Sequence, residues 1–239
     1  MEPQPEPTQT TPGNIMKSLI LPGIRNFLIA AIVLGLLLCL LAGTLEYWQG
    51  WVFAVLFSGL TNGQGIYLGI KDPELLERRK HVAAAGESKA ERTFIVIALA
   101  ANFAMSAFSA LDHRFGWSRV PALVSVVGDA LMLFSFFVYY LVFQENSYAA
   151  SSIKTFEGQK VVSTGLYGLV RHPKYAGDLL LIFGTPLALG SWWGPSIIVL
   201  MFPALAWRIL DEEQLLKKDL PGYAEYMQKV RYRLVPYLW

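Results

Sequence analysis

The sequence predicts an all-α integral membrane protein with five to six transmembrane helices. Of its 239 residues, 54% are hydrophobic and only 16% are charged, whereas charged residues make up about a quarter of a typical soluble domain. Apolar runs close to the ~20 residues that a helix needs to cross a bilayer recur along the first part of the chain. Polar motifs accumulate in the last part. We therefore expect an apolar scaffold followed by a region that carries the chemistry.

The segments are assigned in order along the chain. Residues 1–14 are rich in proline and acid, so we expect a disordered N-terminal arm. Residues 15–144 form the scaffold, with transmembrane helices at about 26–45, 50–70, 93–111 and 119–144. Residues 145–239 complete the same domain and contain a helical hairpin, 176–189 and 196–216. The first arm of this hairpin is short, so its full crossing is left open.

Two features of the scaffold predict how it packs. Glycines four residues apart let helices approach closely. In the second apolar run these are Gly59, Gly63, Gly65 and Gly69. Residues 71–79 form a short amphipathic helix with Asp72 as its N-cap and Pro73 in its first turn. We expect that helix to lie at the membrane surface.

The distribution of Lys and Arg predicts the orientation in the membrane. Of the 20 basic residues, six fall in 71–92, four in 147–174 and six in 208–239, and the N-terminal part adds Lys17 and Arg25. By the positive-inside rule these segments share the cytoplasmic side. We therefore predict a multi-pass protein with both termini and its long polar segments in the cytoplasm.

Composition excludes several classes of site. Cys39 is the single cysteine and lies in the first apolar run, so neither a disulfide framework nor a thiolate cluster is available. His81, His113 and His172 include no pair at helical ligand spacing, so no metal site is expected. A formal net charge of +2 gives no support for nucleic acid binding. The partner that composition predicts is the bilayer.

The most informative stretch runs from residue 165 to residue 177, GLYGLVRHPKYAG. It sets Arg171 and His172 directly against the start of a hydrophobic helix. Pro173 lacks a backbone donor, which suits a first helical turn, and it disfavours helical geometry at His172. We expect a rigid corner that points polar side chains in fixed directions at the membrane surface.

Two other polar pieces are candidates for the same site. The loop 157–165, EGQKVVSTG, contains glycines that allow close backbone approach to a ligand. The run RILDEE, at 208–213, places Arg208 and Glu212 on one helical face. Simpler interpretations exist, because that pair could be an ordinary surface ion pair and basic residues at helix ends often anchor to headgroups.

Taken together, these motifs resemble one family. The pattern G-x-Y-x-x-x-R-H-P-x-Y-x-G from 165 is followed by R-x-x-x-E-E from 208, L-P-G-Y-x-x-Y from 220 and R-Y-R-L-x-P from 231. It resembles the isoprenylcysteine carboxyl methyltransferase family, which is related to the phospholipid N-methyltransferases, over about residues 145–239. The resemblance implies a membrane-embedded enzyme that transfers a methyl group from S-adenosyl-L-methionine to a lipophilic acceptor. The carboxylate of a prenylated cysteine or similar lipid is the expected acceptor, with the cofactor pocket on the cytoplasmic side.

The resemblance also implies roles for the matching residues, and 145–239 becomes the methyltransferase catalytic region. Arg208 would hold the acceptor carboxylate, and Arg171 is the second residue expected in the catalytic set. The expected cofactor contacts are Gln159, Lys160, Val161, Val162, Tyr167, His172, Pro173, Lys174, Tyr175, Glu212 and Glu213. Two positions depart from the family pattern, because histidine is usual where Gln159 stands and proline is common in related sequences where Leu166 stands.

Side-chain chemistry agrees with this cofactor independently of the resemblance. S-adenosyl-L-methionine carries an ammonium, a carboxylate and a sulfonium, so its site needs an acid and hydrogen-bond donors, which Glu212 and the corner supply. A carboxylate acceptor, with a pKa of about 3.5, is ionised at neutral pH and needs no base. Arg208 can hold it through two parallel hydrogen bonds. An amine acceptor would instead need His172 or Glu213 as a base.

Other functions stay open on the sequence alone. Phospholipid or small-molecule N-, O- or S-methylation is possible because acceptor selectivity should lie in the apolar helices. An NADPH-dependent membrane reductase is a second alternative, since some reductases share this style of polar C-terminal half. A transporter or an assembly scaffold is a third, although the first three apolar runs contain no evident polar route across the bilayer.

Overall fold

The computed structural model describes residues 19–85, 89–149 and 159–239. Within these ranges the chain forms eight α-helices and no β-strand. In chain order, α1 to α8 are Leu21–Ala42, Trp48–Lys71, Pro73–Ala85, Lys89–Phe115, Ala122–Glu145, Pro173–Ala188, Gly194–Asp219 and Tyr223–Lys229, and a 3₁₀ turn at Gly165–Gly168 precedes α6. The predicted N-terminal arm, 1–14, and residues 157–158 of the polar loop lie outside the described residues. The all-α class predicted from the sequence is confirmed.

Three described helices are long and apolar enough to cross a membrane. They are α1, residues Ile95–Phe115 of α4, and α5, with mean hydropathies of 2.5, 1.7 and 2.0. Large apolar side chains on their outer faces, such as Leu40, Leu99 and Leu123, are exposed, as expected for surfaces that meet lipid. The protein is an integral membrane protein. Helices α2, α6 and α7 occupy the positions of the other predicted spans, and their full crossing stays a prediction.

Two helix starts follow directly from the sequence. Asp72 Oδ1 accepts a hydrogen bond of 2.9 Å from the backbone N–H of Leu75, which satisfies an otherwise unpaired donor in the first turn of α3. Pro173 is the first residue of α6, and His172 before it has φ −124° and ψ 61°, outside helical geometry. The capped short helix and the non-helical corner are both confirmed.

Helices α5 and α6 cross at two glycines. A Cβ atom on Gly128 would stand 2.1 Å from the backbone nitrogen of Ala188, and one on Gly184 would stand 2.9 Å from the carbonyl oxygen of Gly128. Because the neighbouring atoms belong to backbone, neither position has room for a side chain. This close crossing fixes α6 against α5 and thereby positions the corner at the start of α6.

The glycines of α2 contribute less than their spacing predicts. Gly59 packs beside the ring of Phe27 in α1, but a Cβ atom on Gly63 or Gly65 would meet no described atom within 4 Å. The expectation of close packing is therefore wrong for these two positions within the described residues. The closest helix approach uses α5 and α6 instead.

A buried carboxylate ties the loops together at the end of the bundle opposite to the corner. Asp112, at the end of α4, accepts hydrogen bonds from the backbone N–H of Ser118 at 2.8 Å and from the hydroxyls of Ser118 and Ser191 at 2.5 Å each. Nearby, the Tyr47 hydroxyl donates to the carbonyl of Leu189 at 2.5 Å. These bonds join the loops around α6 without occupying the corner.

Candidate active site

The corner is held by the chain's last segment. The backbone N–H of Arg171 donates to the carbonyl of Tyr232 at 2.9 Å, and that of His172 donates to the carbonyl of Arg233 at 2.9 Å. Pro173 has no such group to satisfy, so the ladder stops where α6 begins. The rigidity predicted from Pro173 therefore also depends on residues some 60 positions later, which the corner motif alone does not reveal.

Glu213 is the electrostatic centre behind the corner. Its carboxylate is 4% exposed and accepts hydrogen bonds from Arg171 Nε at 2.7 Å and Arg233 Nε at 3.0 Å, while His172 Nε2 lies 3.2 Å away. Burial by itself would raise the pKa of Glu213, but the hydrogen bonds from His172 and Arg171 outweigh it and lower the pKa to about 2. Glu213 is therefore ionised at neutral pH.

Arg171 is committed to this cluster rather than to open space. It is 7% exposed, and besides its bond to Glu213 it donates through Nη1 to the carbonyls of Val230 at 2.9 Å and Arg231 at 3.0 Å. These contacts link the start of α6, the end of α7 and the segment after α8. Arg171 thus joins three parts of the chain that are distant in sequence.

In front of the corner lies a pocket with a polar lining, which we call the polar pocket. Every residue predicted to contact the cofactor lines it except Glu213, which lies behind the wall. The predicted residues in the lining are Gln159, Lys160, Val161, Val162, Tyr167, His172, Pro173, Lys174, Tyr175 and Glu212, joined by Arg171. Residues from four separate segments therefore converge on one cavity.

Glu212 supplies the acid of this pocket. Its Oε2 accepts a hydrogen bond of 2.7 Å from the Tyr175 hydroxyl, and its Oε1 is 4.0 Å from His172 Nδ1. The side chain is 24% exposed, so the carboxylate remains accessible to a ligand. Glu212 and Glu213 are adjacent in sequence, yet one faces the cavity and the other faces the buried arginines.

Sequence reasoning missed part of the pocket wall. Tyr223, Tyr226 and Asn146 also line it. The Tyr226 hydroxyl donates to the carbonyl of Tyr167 at 2.7 Å, and Asn146 Nδ2 donates to the Tyr167 hydroxyl at 3.0 Å. The LPGYAEY motif that contains both later tyrosines supported the resemblance, but its spacing gave them no role. Asn146 had no signal, because it is an isolated amide at the end of α5.

A second cavity, which we call the apolar pocket, opens on the other side of Tyr175. It has a volume of about 370 Å³ and is lined mainly by aliphatic and aromatic side chains from α4, α6 and α7. Arg208 lines its polar end and is only 4% exposed. Several lining residues, among them Ile97, Leu99 and Phe202, are 44–66% exposed on the outer surface of the helices. The cavity is therefore open toward the surface that meets lipid.

The two pockets share Lys174 and Tyr175. Arg208 and Glu212 lie one turn apart on α7, with Arg208 in the apolar pocket and Glu212 in the polar pocket. The Tyr175 hydroxyl interacts with both side chains. A polar ligand and an apolar ligand could therefore meet at Tyr175.

Residues 123–221 match the family model described as phospholipid methyltransferase. This segment, about two fifths of the chain, is similar to the phospholipid methyltransferase family. The family includes isoprenylcysteine methyltransferases and sterol reductases, so the resemblance carried by the motifs is confirmed at this level. The matched segment contains α5, the corner, Arg208 and Glu212, whereas the carbonyls that hold the corner, in 230–233, follow it.

Curated relatives of this family segment include reductases. The Delta(14)-sterol reductase of Mus musculus is 37% identical over 91 residues, which are 37% of this chain and 22% of the relative. The Delta(14)-sterol reductase of Arabidopsis thaliana is 32% identical over 88 residues, 34% of this chain and 23% of the relative. The lamin-B receptor of Drosophila melanogaster is 31% identical over 91 residues, which are 36% of this chain and 12% of the relative. The chain thus spans less than a quarter of the length of these relatives.

Proposed function

We propose that this protein is a membrane-embedded methyltransferase that uses S-adenosyl-L-methionine and a lipophilic acceptor bearing a carboxylate, such as a prenylated cysteine. The observation that carries this proposal is the meeting of two pockets of opposite character at Tyr175. A polar cofactor and a lipid need such separate cavities, and methyl transfer needs their reacting atoms side by side.

The polar pocket has the donor and acceptor groups that this cofactor requires. Glu212 would accept hydrogen bonds from the amine of the cofactor. Lys160 and backbone N–H groups of the 159–162 segment, which lines the pocket, would meet its carboxylate. When bound, S-adenosyl-L-methionine supplies a methyl group on a positively charged sulfur. Tyr167 and Tyr175 contribute aromatic faces to the lining, which suit a purine ring and a sulfonium.

Arg208 would orient the acceptor. Its guanidinium offers two parallel N–H donors to a carboxylate. Because Arg208 and Tyr175 both line the apolar pocket, a carboxylate bound by Arg208 would lie near Tyr175. The acceptor is already ionised at neutral pH, so no side chain has to remove a proton. The residues then act by alignment and by excluding water. Arg171, in this proposal, positions the corner through Glu213 instead of touching the acceptor.

Orientation belongs to the same proposal. Two of the basic segments, 147–174 and 208–239, contribute described residues to the lining of the polar pocket, including the corner and the end of α7. With these segments in the cytoplasm, the cofactor would enter from the cytosol and the acceptor from the bilayer. Both termini and residues 145–239, as the catalytic region, would then face the cytoplasmic side.

The test is a methyl-transfer assay with the purified full-length protein and cofactor labelled in its methyl group. An N-acetylated prenylcysteine, phosphatidylethanolamine and a total lipid extract are offered separately. We expect label in a base-labile ester on the prenylcysteine. Label on the amine of phosphatidylethanolamine would instead assign N-methylation, and the absence of transfer to all three would overturn the proposal.

An NADPH-dependent reductase is the second candidate, because two of the curated relatives are named Delta(14)-sterol reductases. The apolar pocket would suit a sterol-like substrate as well as a prenyl chain. The carboxylate of Glu212 favours methyl transfer, since NADPH carries several phosphate charges that an acid in the wall would repel. Loss of NADPH absorbance on addition of an unsaturated sterol would favour the reductase.

A further inference from the structure

A hydrogen-bonded trio spans α5 and α6 beside the junction of the pockets. Asp178 Oδ1 accepts a hydrogen bond of 2.5 Å from the Tyr139 hydroxyl, and Asp178 Oδ2 accepts one of 3.0 Å from Lys174 Nζ. Tyr139 is 7% exposed. The backbone just before Asp178 is also fixed, because the Ser135 hydroxyl donates to the carbonyl of Gly177 at 2.8 Å.

The trio determines on which side of Tyr175 the Lys174 ammonium lies. Lys174 lines both pockets, whereas Asp178 lines only the apolar one. The bond to Asp178 therefore draws the ammonium toward the apolar pocket, where it stands 5.2 Å from the centroid of the Tyr175 ring. A lysine side chain has four rotatable carbons, so without such a bond its charge would sample both cavities.

The charges around this point leave the polar end of the apolar pocket positive. Arg208 and Lys174 both line it, and Asp178 is the acid among its described lining residues. Asp178 already interacts with Lys174 and, electrostatically, with Arg79. Among the described residues that line the cavity, two are cations and one is an acid, so a negative group on the bound lipid would gain attraction there while an ammonium would be repelled.

We propose that Lys174, which the sequence assigned to the cofactor, is instead a second contact for the negative group of the acceptor, and that Asp178 and Tyr139 are positioning residues that hold it on the acceptor side. This inference rests on the proposed function and sharpens it, because it ties selectivity for anionic over amine acceptors to named residues. Arg208 on α7 and Lys174 on α6 would both donate hydrogen bonds to the carboxylate of the acceptor.

The experiment measures two quantities for each variant: the KM for the N-acetylated prenylcysteine and the Kd for S-adenosylhomocysteine. The variants are Tyr139→Phe, Asp178→Asn and Lys174→Met, together with the double variant Asp178→Asn/Lys174→Met. We expect Lys174→Met to raise the acceptor KM by about tenfold, as for loss of one charge-assisted hydrogen bond. Tyr139→Phe and Asp178→Asn should raise it by less, through a displaced Lys174. Because Asp178→Asn also removes a negative charge that repels the acceptor, a raised KM in this variant requires the loss of Lys174 positioning to outweigh that gain. The Kd for S-adenosylhomocysteine should stay within about twofold, which also shows that each variant is folded.

The double variant separates positioning from direct contact. If Asp178 acts through Lys174, adding Asp178→Asn to Lys174→Met raises the acceptor KM no further. Two matched controls keep the same chemistry elsewhere. Tyr140→Phe removes a neighbouring hydroxyl whose partner is Gln144, and Lys218→Met removes an exposed charge on α7. Both controls should leave the acceptor KM unchanged.

Other results overturn the inference. Additive effects in the double variant, or a loss of S-adenosylhomocysteine affinity as large as the rise in acceptor KM, would assign the trio to general structure or to the cofactor. Normal transfer by the wild type with an unchanged acceptor KM in Tyr139→Phe and Asp178→Asn would overturn this inference alone. Absence of methyl transfer by the wild type would overturn the proposed function and this inference with it.

Discussion

At the scale of single residues, two side chains one turn apart on α7 are proposed to contact different ligands. Glu212 lines the polar pocket and Arg208 the apolar one. We expect Glu212→Ala to weaken S-adenosylhomocysteine binding by at least about tenfold, because a hydrogen bond to a charged group contributes about 1.5–3 kcal/mol. Arg208→Ala should bind the same ligand normally and lose turnover. Isothermal titration with both variants, followed by the methyl-transfer assay, measures these outcomes.

The exposed Glu225 of α8 provides the matched control, since Glu225→Ala removes the same charge away from both pockets. Arg208→Lys adds a second comparison, because an ammonium cannot reproduce the paired donors of a guanidinium. Equal binding by wild type and Glu212→Ala would contradict the assignment of Glu212 to the cofactor.

For Arg171, a positioning role predicts that a substitution destabilises the protein, whereas a catalytic role predicts a stable protein that does not turn over. It is buried and bonded to Glu213 and two backbone carbonyls. Breaking a buried charge pair by removing one partner costs about 3–5 kcal/mol, so Arg171→Met should lower the thermal midpoint by many degrees. A thermal scan in detergent checks this, with Arg231→Met as an exposed control. A stable Arg171→Met protein that binds S-adenosylhomocysteine but does not turn over would restore a catalytic role.

At the scale of elements, the Glu213 cluster fastens α6, α7 and the last segment in a pH-dependent way. The pKa of Glu213 falls from an ordinary 4.5 to about 2 on folding. Its stabilising contribution is therefore complete above about pH 4.5 and is lost as the pH falls from there toward 2. Thermal midpoints measured at pH 7, 4.5 and 3 should drop over this window. The drop should be smaller in Glu213→Gln, which starts from a lower midpoint at pH 7.

The crossing of α5 and α6 gives a second prediction at this scale. Gly128→Val would drive a side chain into the backbone of Ala188, because even a Cβ atom on Gly128 would stand only 2.1 Å from the Ala188 nitrogen. Because backbone cannot move aside as a flexible side chain can, we expect loss of folded protein, well beyond the 1–3 kcal/mol typical of overpacking. Gly63→Ala is the control, since nothing described lies within 4 Å and alanine favours a helix by about 1 kcal/mol. Yield and monodispersity in detergent compare the two.

At the scale of the whole molecule, the ligand that stabilises the fold identifies the chemistry. A ligand that binds only the folded state adds about 2.7 kcal/mol of stability at a hundredfold excess over its Kd. We expect S-adenosylhomocysteine to raise the thermal midpoint and NADPH to leave it unchanged. The comparison uses the full chain at matched ligand concentrations. The reverse pattern would favour the reductase candidate.

Many features of this fold follow from short stretches of contiguous residues. The apolar runs predicted the long helices because the length and hydrophobicity of a run are properties of one contiguous segment. Asp72 and Pro173 predicted where two helices begin because a helix cap depends on adjacent residues. The motifs around Arg171 and Glu212 supplied many of the residues that line the polar pocket, whereas Glu213 lies behind its wall and Asn146, Tyr223 and Tyr226 were missed. Neighbours such as Glu212 and Glu213 look alike in sequence, and only the fold turns one to the cavity and the other to the arginines.

The sequence by itself determined an all-α membrane protein with a polar C-terminal region, because hydrophobic run length, helix caps and short motifs are properties of contiguous residues. Only the tertiary structure decided that the corner is held by Tyr232 and Arg233, that Asp178 and Tyr139 fix Lys174, and that two pockets share Tyr175. These features join residues separated by about 40 to 60 positions. Their pairing follows from how the helices pack, through approaches such as Gly128 on Gly184, which no spacing rule within a single helix encodes.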